Sequence, residues 1–282
     1  MQNVVEDEII SIQLSEKPEI RMGGNVYIPP VQSANVLFRF FTKIDYLKDV
    51  IRYKAMVPRY YEEMIAYLKL EECKKIAFPM CCFCDIHLNK LVSHMEFYGY
   101  YGIGLNKEWG INRGIQPIQY INPNSNLIND YRVVFSKALQ ANDNDRIIID
   151  DYSNYLLTSL LFMKPLEGQM FRNGKYENRN FHDEKEWRYI PDISRTQTDL
   201  PLTIPLEYMN PKAYKAYSDG IVQCQDLWLK FEYENIKYLI VKDNNDRLEL
   251  IKLIRDQIET TENEKLILIS KILVFNELKG DW

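Results

Sequence analysis

The sequence predicts a single α+β domain: a central mixed or antiparallel sheet with flanking helices. Three observations lead to it. Short apolar runs and runs with helical spacing follow one another along the chain, with no internal repeat and no low-complexity tract. No linker-like stretch divides the 282 residues, so a length that admits one large domain or two small ones reads as one. Hydrophobic residues make up 46% of the chain and charged residues 27%, which excludes disorder as the main state.

Residues 1–34 read as a lead-in punctuated by Gly23-Gly24 and Pro29-Pro30, and the domain proper as 35–282. Asn35 to Phe41 is short, apolar and aromatic, as a strand is. Thr42-Lys43-Ile44-Asp45 has the spacing of an N-terminal capping box, and Leu47, Val50, Ile51 and Lys54 continue at helical spacing until Pro58. Ile76 to Cys84 is the next strand, His87 to Tyr98 a short helix, and Tyr101 to Leu105 a strand whose glycines invite close approach. Gln116 to Ile121 follows as a strand. A helical insert then occupies about 125–165: one helix with Leu127, Tyr131, Val134 and Ala138 on its face, and one from Ile147 to Met163. Glu186 to Ile190 is a strand ended by Pro191. Asp219 to Val222 and Tyr238 to Val241 read as strands, Leu248, Ile251, Ile254 and Ile258 as a helix face, and Lys271 to Phe275 as a last strand.

Composition narrows function by exclusion. The 35 basic and 40 acidic residues give a net charge of −5, which disfavours a dedicated nucleic-acid binder but leaves a local basic patch open. With 11 glycines, a glycine-rich nucleotide loop is disfavoured. The N-terminus is acidic where a signal peptide is basic, and the longest apolar stretch, Tyr155 to Met163, is far short of a membrane span. Five cysteines, three of them in Cys81-Cys82-Phe83-Cys84, do not form a disulfide framework. These features predict a cytoplasmic protein without membrane contact.

Four groups could carry chemistry. Cys81, Cys84, His87 and His94 are zinc-ligand types, but their spacing is too tight for a common ribbon or finger; no metal is expected, and the cysteines read as small apolar residues of a buried strand. In Phe181-His182-Asp183-Glu184-Lys185-Glu186-Trp187-Arg188-Tyr189, a strand over 184–190 puts Glu184, Glu186 and Arg188 on one face. That face is either solvated or a carboxylate site in which Arg188 holds an acid or contacts phosphate. Arg39 inside an aromatic strand faces a cleft or pairs at a sheet edge. His94, Tyr98, Tyr100 and Tyr101, around a glycine-rich approach to a strand, either line a nucleotide pocket or cap the core.

From Cys82-Phe83-Cys84-Asp85-Ile86 through Tyr98-Gly99-Tyr100-Tyr101-Gly102-Ile103-Gly104-Leu105-Asn106-Lys107-Glu108-Trp109-Gly110, and again at Glu184-Lys185-Glu186-Trp187-Arg188 and Lys271-Ile272-Leu273, the chain resembles the AbiGi family of bacterial abortive phage-resistance proteins. The resemblance covers most of 35–282. It implies the antitoxin half of an abortive-infection pair, with a partner toxin similar to a nucleotidyltransferase. A weaker likeness is architectural: Arg39 on the first strand, Thr42 at the following helix and a late Glu-x-Glu are similar to ADP-ribosyltransferases. That likeness implies NAD or another nucleotide as ligand, with Arg39 on the pyrophosphate and Glu184 or Glu186, preferentially Glu186, as the catalytic carboxylate. Thr42, His94, Tyr98, Tyr101 and Arg188 complete the expected binding set. The ADP-ribosyltransferase middle-strand Ser-Thr-Ser motif is absent, so a tyrosine has to serve there. A binding module that masks a toxin, or a transcriptional regulator, are the rival functions.

Overall fold

The computed structural model describes residues 27–70, 73–139, 146–172 and 175–280. Gly23-Gly24 and most of the expected lead-in lie outside the described residues. In chain order the elements are β1 (Val36–Phe41), α1 (Ile44–Tyr53), β2 (Ala55–Met56), β3 (Arg59–Met64), β4 (Lys75–Cys84), α2 (Val92–Tyr98), β5 (Tyr101–Asn106) and α3 (Lys107–Asn112). There follow β6 (Gln116–Pro117), β7 (Gln119–Ile121), α4 (Asn126–Leu139), α5 (Arg146–Leu161), β8 (Met163–Pro165), the hairpin β9 (Glu167–Arg172) and β10 (Lys175–Asn180), and β11 (Glu186–Tyr189). The chain closes with α6 (Pro211–Gln223), β12 (Leu229–Lys230), β13 (Ile236–Val241), α7 (Asn244–Gln257), α8 (Glu262–Ser270), β14 (Ile272–Val274) and α9 (Phe275–Leu278).

The central sheet runs β14-β13-β5-β1-β4-β11-β6, with β3 also paired to β4. Every pairing is antiparallel except β13 with β14. Alternation along the strands sorts side chains to two faces. Leu37, Cys81, Phe83, Ile103, Leu105, Leu239 and Val241 meet α1, α3, α7 and α8 in the largest core. On the other face Val36, Phe38, Cys84 and Ile240 pack under Leu91 and Met95 of the α2 region, and Phe78 and Met80 pack under α4 and α5. Helices on both faces explain why the inner strands read as nearly continuous apolar runs. The glycines of β5 admit protein rings: a Cβ at Gly102 would meet the Phe40 ring and one at Gly104 the Phe38 ring. No described helix is long and apolar enough to cross a membrane.

Several sequence expectations change. The N-cap of α1 is Lys43, without a side-chain bond, and Thr42 is exposed, so the capping box is not formed. Asp219 to Val222 lies in α6, whose start is set by Asn210 accepting from the Lys212 and Ala213 N–H groups, with Pro211 at the first turn. The strand expected over 184–190 begins at Glu186, because Phe181–Glu184 forms a 3₁₀ turn. In α4 the buried positions are Ile128 and Tyr131, with Leu127 and Val134 outward; in α7 they are Leu250, Leu253 and Ile254, with Leu248 outward.

Gly99 ends α2 at φ 123, ψ 162, a region essentially restricted to glycine, and a Cβ there would strike the Phe41 carbonyl. Gly114 also has positive φ but nothing within 4 Å of a Cβ. Gly99→Ala should therefore cost about 3 kcal/mol or more, and Gly114→Ala only about 1–2 kcal/mol. Urea unfolding of the two variants checks the difference; equal losses would contradict the close packing of Gly99.

Candidate functional site: a buried lysine–carboxylate cluster between two cavities

The site is assembled on β11 and on β8, the segment that returns from α5. Lys185 has φ 43, and this left-handed residue turns the chain between the 3₁₀ turn and the strand. The kink brings Glu184 and Glu186 to one cation: Lys164 Nζ of β8 donates to Glu184 Oε2 and to Glu186 Oε2, each at 2.9 Å. β8 is held by parallel pairing with β7, where Tyr120 stands opposite Lys164. Tyr120 Oη accepts the Glu186 backbone N–H at 2.8 Å.

Arg188, two residues along the same face of β11, is fully buried. Its Nε donates to Glu186 Oε1 at 2.6 Å and its Nη2 lies 3.2 Å from Glu63 Oε1 of β3. Its Nη1 donates to the Leu161 carbonyl at 2.7 Å. That carbonyl is one of those the last turn of α5 leaves without a helical partner, so Arg188 ties the helix end to the sheet. On the other side Tyr98 of α2 donates to Glu184 Oε1. Three elements thus bind the two carboxylates directly: β8 through Lys164, β11 through Arg188 and α2 through Tyr98.

The electrostatics follow from the pairing. Burial alone would raise the Glu186 pKa, but Arg188 and Lys164 outweigh it and hold the carboxyl well below the usual carboxylate range. Burial opposes the charge on Lys164; Glu186, Glu63 and Glu184 outweigh it and raise the lysine pKa. Burial pushes His94 down to about 3, helped by Arg179, so its imidazole is neutral at physiological pH. Burial and the adjacent Glu184 carboxylate raise the Tyr98 phenol.

Two cavities flank the cluster and share His94 and Glu184 in their walls. The smaller, about 260 Å³, is lined by Phe38, Arg39, Phe40, Tyr61, Tyr98 and Met170 among others, with Lys164 and Glu186. The larger, about 580 Å³, is bounded by α2, β10 and the 181–185 turn. The structure therefore brings together Arg39, His94, Tyr98, Glu184 and Glu186. Arg188 lies behind Glu186 and lines neither cavity. Thr42 is exposed beyond β1, and Tyr101 packs against the α1–α7 core beside Asp246, so both lie outside the cavities. Arg39 Nη1 is 3.5 Å from the Cys82 carbonyl, at the long limit of a hydrogen bond. The sequence reading missed Lys164, Glu63 and Tyr120. The signal for Lys164 was a lysine in the apolar run Phe162-Met163-Lys164-Pro165. Cys81, Cys82 and Cys84 lie in β4 as expected, and among the described residues no three His, Cys, Asp or Glu side chains are grouped as metal ligands would be.

Removing one member leaves its partners as uncompensated buried charge. Lys164→Met should cost about 3–5 kcal/mol of folding stability, far more than an exposed lysine variant such as Lys212→Met. Chemical denaturation checks this; a loss below about 1 kcal/mol would place the cluster in contact with solvent. Because the folded Glu186 pKa lies below its ordinary value of 4.5, its stabilisation is complete above that value and is lost as the pH falls through the folded pKa. Stability of the native protein should decline as the pH drops below about 4.5, with a shallower decline in Glu186→Gln. Identical pH profiles for the two proteins would contradict the assignment.

Residues 54–242 match the model of a family described as "Putative abortive phage resistance protein AbiGi, antitoxin". The match takes in β3, β4, α2, β8 and β11, and so every member of the cluster. A protein of Lactococcus lactis subsp. cremoris described as "Abortive phage resistance protein AbiGi" is 37% identical over 250 residues, which cover 81% of this chain and 100% of the relative. No solved structure matches the chain, so the likeness to ADP-ribosyltransferases has no structural neighbour behind it. Two thirds of the chain match the family model and the relative aligns along its whole length: the chain belongs to the AbiGi family.

Proposed function

We propose that this protein acts in abortive phage resistance as the antitoxin-type member of a pair, neutralising a partner toxin by binding it in the cytoplasm rather than by chemistry of its own. One observation carries the non-catalytic part: both oxygens of Glu186 are already bound, one by Arg188 and the other by Lys164. A carboxylate that stabilises an oxocarbenium ion needs a free oxygen facing the substrate. Glu184 is similarly held, by Tyr98 and Lys164. The family and relative descriptions supply abortive phage resistance, and the family description supplies the antitoxin role.

A second reading rests on a different observation. Arg39, His94, Tyr98, Glu184 and Glu186, from separate parts of the chain, line one cavity. In that reading NAD or another nucleotide enters, Arg39 meets its pyrophosphate, and Lys164 gives up Glu186 to the ribose.

Co-expression with the toxin of an abortive-infection pair separates the two. The antitoxin reading expects restored growth, a complex that co-purifies, and no nicotinamide release when the pure protein is incubated with NAD. Glu186→Gln, if folded, should still neutralise the toxin. Nicotinamide release that is lost in a stable Glu186→Gln variant would overturn the binding reading in favour of the transferase.

A further inference from the structure

The larger cavity has a composition unlike the rest of the chain. The protein has 3 histidines, and His87, His94 and His182 all line this one space. Three cations share it: Lys90 after β4, Arg179 of β10 and Lys185 of the turn. None of the three forms an ion pair among the described residues. Of the two carboxylates in the wall, Glu184 is engaged by Tyr98 and Lys164, and Asp183 sits on the exposed rim. In a chain of net charge −5, a cavity whose cations exceed its free carboxylates is a local inversion.

Arg179 is built into this wall rather than dangling over it. Its guanidinium lies 3.7 Å from the centroid of the Phe97 ring, which fixes the plane of the fork. Its Nε is enclosed and has no hydrogen-bond partner among the described residues. With Nε enclosed, the rest of the half-buried guanidinium, which lines the cavity, is left to meet an oxyanion seated there. Ser93, Asn178 and Asn180 add further donors to the wall. Arginine with lysine, hydroxyl and amide donors suits a phosphoryl group, which presents several acceptor oxygens at once.

The size of the space argues against a bare inorganic ion as the intended occupant. At about 580 Å³ it is in the range of cavities that hold drug-sized ligands. It adjoins the smaller cavity at His94 and Glu184, where Phe38, Phe40, Met80 and Met170 provide apolar walls. We infer that the two cavities form one bipartite site for a phosphate ester, with its phosphoryl group against Arg179, Lys90 and Lys185 and a flat ring in the aromatic compartment beyond His94.

Calorimetric titration of the isolated protein with AMP, adenosine and inorganic pyrophosphate tests this. AMP should bind at least about tenfold more tightly than adenosine, because the charge-assisted contacts come from the phosphoryl group alone. Pyrophosphate should bind and displace AMP. Arg179→Gln should weaken AMP about tenfold or more. Since that change also removes the contact with Phe97, exposed Lys90→Ala serves as a second variant, expected to weaken AMP with an unchanged melting temperature. Failure of both AMP and pyrophosphate to bind at millimolar concentration would overturn the inference. So would equal binding of AMP and adenosine, or full AMP affinity in both folded variants. The titration contains no toxin, so a negative result leaves the antitoxin reading untouched.

Discussion

The contact of Lys164 with Glu184 and Glu186 is the interaction on which the rest of this structure depends. Each carboxylate is nearly excluded from solvent, and so is the lysine. None could stay charged there alone, since removing an ion from water costs several kcal/mol. Together with Arg188 and Glu63 they form an alternating set in which each charge faces an opposite one. The geometry also fastens elements distant in sequence: β3 through Glu63, α2 through Tyr98, α5 through the Leu161 carbonyl, and β7 through Tyr120.

β11 is held on its other side as well. Trp187 alternates to the opposite face, where Lys107 Nζ lies 5.3 Å from the centroid of its ring. Lys107 is itself buried and pairs with Asp85 at 2.6 Å. A strand whose four side chains are all charged or aromatic is thus held by ion pairs on one face and by the Asp85-paired Lys107 against Trp187 on the other, and the adjacent turn contributes walls to both cavities. Glu184 contributes shape to the walls of both cavities while Lys164 neutralises its charge from within.

How much of this was legible in the sequence depended on where each element's partners come from. β1, β4, β5 and β13 were readable because helices cover both faces and the strands are largely apolar. β3, with the sequence Arg-Tyr-Tyr-Glu-Glu-Met, was not, because Tyr60 is its one buried residue and its other side chains are polar, aromatic or exposed. The β9–β10 hairpin is rich in polar residues, and α6 was obscured because Asn210-Pro211, its start signal, resembles a turn. At the site, Glu184, Glu186 and Arg188 stood out as charges beside a tryptophan in a strand. Their shared face was expected, but its cause was not: the left-handed Lys185, rather than strand alternation, brings Glu184 to Glu186. Lys164 escaped notice because its proximity is created by β7–β8 pairing across the helical insert, which no local pattern encodes. The two-faced role of His94 likewise follows only from α2 lying between the cavities.

Glu186 is an internal counter-ion, held ionised well below the usual carboxylate range by Arg188 and Lys164. Carbon-13 NMR of the glutamate side-chain carboxyls, with Glu186 assigned by comparison with Glu186→Gln, tests it most directly. The Glu186 resonance should stay at its ionised position as the pH is lowered through 4.5, the ordinary value for a glutamate. A Glu186 carboxyl that takes up its proton at or above that pH in the folded protein would contradict it.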